Sequence, residues 1–138
     1  MNLKKIIITI LVLGTIIAVL AYKMYNKPHL DVASAKADVT ISANDLINAF
    51  STNESDANAK YLEKIIEVKG TVSSFKIEKE KGIVSIETED DFGSILCHLS
   101  EASTLKMKEL KEGQAIAIKG ICTGFLMDVI LVKSEIIN

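Results

Sequence analysis

The sequence predicts a mainly β domain with short helices: a five-stranded Greek-key barrel preceded by an apolar amino-terminal helix and two short helices. Three observations carry this. Two segments, 65–75 and 115–124, alternate apolar and polar residues and carry glycine in mid-run, as Val68-Lys69-Gly70 and Ile118-Lys119-Gly120. A period of two gives a strand one buried and one wet face, and a glycine lets a long strand bend at a barrel corner. Gly113 stands where a left-handed helix cap is wanted, just before the second of these strands.

Composition bounds the rest. A chain of 138 residues, 49% hydrophobic and 25% charged, holds one domain plus an appendage. Formal charge is −2, and all 16 basic residues are lysine. Setting aside Lys4, Lys5 and Lys23 leaves 13 lysines against 18 acidic residues. Nucleic-acid binders concentrate cations on one face to displace counterions from phosphates. Here the lysines are interspersed with acids, so generic polyanion binding is disfavoured.

Residues 1–25 predict a transmembrane anchor. Lys4 and Lys5 form a basic head, Ile6 to Tyr22 carries no charge, and Lys23 ends the run. Such a run spans ~26 Å as a helix, near the hydrocarbon thickness of a bilayer. Tyr22 and Tyr25 suit the interface. The rival is a cleaved signal peptide, with Val19-Leu20-Ala21 as its cleavage site. The expected arrangement is single-pass, with the amino terminus in the cytoplasm and the domain in the periplasm or extracytoplasmic space. Residues 26–40, with Pro28, read as a stalk.

Residues 41–64 read as a short helical segment. Ser42 with Asp45 makes an N-cap pair, and Leu46, Ile47 and Phe50 share a face. A second helix from about Ser55 to Lys64 offers Ala57, Tyr61 and Leu62. Both would pack on one end of the barrel, or frame a peptide groove.

The barrel is assigned to 65–138. After its first strand come a charged hairpin loop (76–82), a second strand (83–88), an acidic turn (Glu89 to Gly93) and a third strand (94–99). Ser100 then caps a helix reaching about Leu110, with Leu105 toward the core, and strands at 115–124 and 128–137 close the fold. Three strands, a helix and two strands is the OB-fold order. From Tyr61 to Ile137 the chain resembles the tRNA-anti-like OB-fold family. The likeness rests on Tyr61-Leu62-x-Lys64 before Val68-x-Gly70-x-Val72, on Leu110-Lys111-x-Gly113, and on Lys119-Gly120-x-Cys122-x-Gly124 before Asp128-Val129. The resemblance implies the fold, and small members behind a membrane segment or signal; it implies no tRNA activity.

Candidate chemistry is sparse. Cys97 and Cys122 have buried parity on different strands. In an exported domain they could form a disulfide; otherwise they are two buried thiols. Cys97 and His98 point to opposite faces, so no metal site is expected, and no cofactor. His29 and His98 lack a nucleophilic partner, and Glu89-Asp90-Asp91 reads as a solvated turn. The usual OB-fold binding surface nominates Phe75, Lys76, Lys79 and Lys81, with Phe92 and His98 nearby, and Phe125, Leu126 and Met127 on a second loop. The expected function is a non-enzymatic module of the cell envelope that binds a protein or small ligand. Its partner through Ile6 to Tyr22 is the membrane. The alternative is an OB-fold for single-stranded nucleic acid, which requires stacking aromatics in a basic groove.

Overall fold

A computed structural model describes residues 2–26, 31–91 and 93–137, in two compact units divided between Leu30 and Asp31. The first unit is a single helix, α1 (Leu3–Tyr25), with a mean hydropathy of 2.4 over its apolar window and no buried side chain. It is long and apolar enough to cross a membrane. Thr9 and Thr15 return their hydroxyls to the carbonyls of Lys5 and Leu11, at 2.9 and 3.1 Å. That satisfies the helix's two threonine hydroxyls without water.

The second unit contains β1 (Val39–Ser42), α2 (Ala43–Thr52), α3 (Glu54–Tyr61), β2 (Ile65–Glu78), β3 (Lys81–Ile86), β4 (Ile95–Leu99), α4 (Glu101–Lys106), β5 (Ala115–Leu126) and β6 (Asp128–Ile136). The sheet order is β1-β2-β3-β4-β6-β5, and β5 pairs back onto β2. Strands β2 to β6 thus form a closed five-stranded OB-fold barrel. Its core gathers Ile66, Val68, Val72, Val84, Ile86, Ile95, Leu99, Ile118 and Leu131 with the inner faces of α2 and α3. Ser42, Asn53 and Ser100 cap α2, α3 and α4 by accepting the N–H groups of Asp45, Asp56 and Ser103.

Four sequence expectations change. The segment expected as a stalk belongs largely to the domain. Val32 is buried, and the Lys119 ammonium donates to the carbonyls of Ala33 and Ala35 at 3.1 and 2.7 Å. Asp38 exchanges two hydrogen bonds with the Ile65 backbone, and β1 then adds a sixth strand parallel to β2. Pro28 and His29 lie outside the described residues.

The expected hairpin loop is instead strand almost to its tip. Lys76 and Lys81 are on β2 and β3, joined by Lys79-Glu80 alone, both with positive φ (50° and 67°). That is the backbone of a type I′ turn.

Leu105 faces solvent at 68% exposure. Helix α4 stops at Lys106 and tightens into a 3₁₀ turn (Met107–Glu109), which delivers Met107 and Leu110 to the core instead.

The glycines act by close approach. A Cβ on Gly70 would land inside the Ile86 side chain, and one on Gly120 would meet Ser134 Oγ at 2.5 Å. The bulge in β2 lies beyond Gly70, between Val72 and Ser74.

Candidate functional site

Strand register sorts the nominated residues. After the bulge, Phe75 and Ile77 keep the core-facing parity of β2, whereas Ser74, Lys76 and Glu78 face outward. Lys76 is opposite Ile83, which is opposite His98; Ser74 is opposite Ser85, which is opposite Leu96. These two rows make the outer face of β2–β3–β4. A shallow cleft of about 270 Å³ opens beside the first row, lined by Glu78, Lys79, Lys81, Ile83 and His98. The structure therefore brings together Lys76, Lys79, Lys81 and His98. Its cations are offset by acids: Lys76 lies 3.5 Å from the Glu78 carboxylate, and Glu80 sits in the turn between Lys79 and Lys81.

The other nominated residues fall elsewhere. Phe75 projects from the opposite side of the same hairpin. Phe125 stacks on Phe50 of α2, with ring centroids 5.7 Å apart and planes at 28°, so its ring serves packing. Leu126 and Met127 form a tight exposed turn, Met127 having φ 76°. That turn lies by Gly93 and Ser94, whose hydroxyl and N–H both bond Asp128. His98 lies four residues along from Ser94, ~13 Å of strand, so the two loops do not share one cleft. Phe92 lies outside the described residues.

The two cysteines are free thiols. Cys97 and Cys122 pair with Leu131 from opposite sides, so β6 runs between them. Two strand spacings give ~9.5 Å between their Cα atoms, beyond the ~7 Å a disulfide tolerates. Burial pushes both thiols up, Cys97 most strongly; at Cys122 the Gly124 backbone partly offsets it. Neither is a poised nucleophile.

The two short helices meet both expectations set for them. Between α2 and α3 lies an open trough of about 370 Å³, with Asp45, Asn48, Asp56 and Lys60 at its rim and Tyr61 in its floor. The helices nevertheless bury Leu46, Ile47, Phe50, Ala57 and Tyr61 against the barrel, as packing elements do.

The tRNA_anti-like family model matches residues 1–136. The chain belongs to the tRNA_anti-like family. Among solved structures, a lipoprotein from Klebsiella pneumoniae to which nucleic-acid binding has been ascribed superposes with a TM-score of 0.59 at 17% identity. That match covers 78% of this chain and 95% of the lipoprotein. Asparaginyl-tRNA synthetase from Pyrococcus horikoshii matches over 57% of this chain and 20% of its own, at 18% identity and a TM-score of 0.43. No curated protein matches in sequence. For this tRNA_anti-like chain the family match and the likeness to the lipoprotein agree with the OB fold of the structure, and the chemistry must come from its own surface.

Proposed function

We propose that this tRNA_anti-like protein is a non-enzymatic binding module, tethered to a membrane by α1, with its domain on the extracytoplasmic side. Its ligand is a protein segment or small molecule taken on the outer face of β2–β3–β4. The observation that carries this is the make-up of that face. Among the described residues it presents Ser74, Lys76, Ser85, Leu96 and His98 around a buried Ile83, with no phenylalanine or tyrosine among them. Single-stranded nucleic acid is held by stacking successive bases on rings inside a basic groove. This face offers one imidazole, and lysines set among acids. Its apolar residues and mixed charges suit an extended polypeptide better. Two buried, un-ionised thiols and a histidine among lysines support a role without catalysis.

Single-stranded nucleic acid is the second reading, favoured by what has been ascribed to the Klebsiella lipoprotein. A fluorescence-anisotropy titration of the full chain in detergent, with oligothymidylate and oligouridylate from about 50 to 200 mM salt, separates the two. The expected result is no saturable binding at about 150 mM salt. Saturable binding with a steep salt slope, lost in Lys81→Glu, would replace the proposed ligand with nucleic acid. Protease shaving of cells expressing the full chain tests the topology: the domain should be cut only once the outer envelope is opened.

A further inference from the structure

The β2–β3 hairpin projects past the barrel with one edge unpaired. On one side of β2, β5 pairs with Ile65 to Thr71, and Val72 exchanges hydrogen bonds with Gly113 and Gln114. Beyond Val72 no described strand continues along that side, while β3 occupies the other as far as the turn. A two-residue turn makes Glu78 and Lys81 the hydrogen-bonded pair that closes the hairpin, so bonding alternates back from there. Gly82, opposite Ile77, donates its N–H to Thr104 Oγ1 at 2.9 Å rather than across the hairpin, as that alternation requires. The N–H and C=O groups of Phe75 and Ile77 therefore point to the open edge. Their side chains are also uncovered: Phe75 is 36% and Ile77 58% exposed, although both keep core-facing parity.

We propose that this edge pairs with the same edge of a second copy of the chain, antiparallel about a two-fold axis at Ile77. The pattern is self-complementary. Centring the pair on Ile77 sets Lys76 opposite Glu78 of the second copy, and Glu78 opposite its Lys76. Both pairs lie on the outer face; Ile77 meets Ile77 on the other. Each Ile77 gives its N–H to the carbonyl of the other. Centring on Lys76 would oppose two ammonium groups, which costs stability. Centring on Phe75 would drive each turn toward the 113–114 segment that already caps Val72. Charge and space select one register. The pairing extends two hairpins into one four-stranded ribbon and engages Glu78, at the rim of the outer-face cleft, with the second copy's Lys76. It is independent of the ligand proposed above.

The test is oxidative cross-linking of the full chain in detergent. In the Ile77→Cys variant the two introduced thiols face each other in a hydrogen-bonded pair, with Cα atoms ~5.5 Å apart, within disulfide range. A covalent dimer is expected from Ile77→Cys, and none from wild type, whose cysteines are buried, or from Lys108→Cys on the exposed surface of the 3₁₀ turn. In that background Lys76→Glu or Glu78→Lys should slow cross-linking by about tenfold, since each change acts twice across the axis. The double reversal should restore it. Failure of Ile77→Cys to cross-link in a folded protein, judged by an unchanged circular dichroism spectrum, overturns the proposal. So does equal cross-linking of Lys108→Cys, or a double reversal that stays slow.

Discussion

Cys97 and Cys122 approach the same core from either side of Leu131, with a whole strand between them. Both should resist alkylation in the native protein, and both should be alkylated without reductant once it is unfolded. A mass shift of two labels in urea is expected; a chain that takes none until reduced would contradict the strand order. Because burial raises these thiols, the folded state holds their protons at pH values where the unfolded chain releases them. Stability from this source is complete below the unfolded thiol value of about 8.5 and declines as pH rises above it. Urea midpoints should fall between about pH 8 and pH 9.5 by the equivalent of about 1 kcal/mol, and less in Cys97→Ala.

Gly120 and Ser134 form a tight pair. Ser134 Oγ is buried without a hydrogen-bond partner among the described residues, at the place where a residue-120 side chain would begin. Ser134→Ala should leave stability unchanged or raise it, because a buried hydroxyl without a partner costs about 1 kcal/mol or more. Gly120→Ala should cost about 1–3 kcal/mol by overpacking. In the double variant the penalty should shrink, and a cycle of denaturant midpoints reads the coupling directly.

Phe125 reads in the sequence as a loop aromatic available to a ligand, but its ring lies on Phe50, which itself approaches Tyr61 at 6.1 Å. Phe125→Ala should lower stability by about 2–4 kcal/mol, measured by chemical denaturation. Leu126→Ala, at 82% exposure in the adjoining turn, should change it by less than about 0.5 kcal/mol. Similar losses in both would mean that the stack does not support the core.

Lys79 and Glu80 hold the left-handed backbone that a type I′ turn demands, where asparagine and glycine are favoured. The double substitution Lys79→Asn with Glu80→Gly should raise the thermal midpoint by the equivalent of about 1 kcal/mol. No gain would indicate that the turn's side chains make compensating contacts.

The barrel was legible because its signals are local. Alternation in 65–75 and 115–124 and the caps at Ser42 and Ser100 each follow from a few neighbouring residues, whereas Gly113 takes its positive φ of 81° in the Lys111–Gln114 turn and caps no helix. Strand β1 escaped because four residues, Val39 to Ser42, show too little alternation to rise above a linker, and their partner lies more than 20 residues on. Leu105 is apolar but lies on the outer side of α4, off the line of Ser103, Met107 and Leu110 that the helix and its 3₁₀ turn present to the core. The hairpin looked like a loop because its exposed strands are as charged as one.

Sequence alone determined the apolar helix, the order of barrel strands, the helix caps and the family likeness, since these depend on residue type and spacing along the chain. Tertiary structure decided which faces meet. It put β6 between the cysteines, laid Phe125 on Phe50, gathered Lys76, Lys79, Lys81 and His98 on one face, and left the edge at Phe75 and Ile77 open. Those outcomes depend on strand register, and a shift of one residue turns every side chain to the other face.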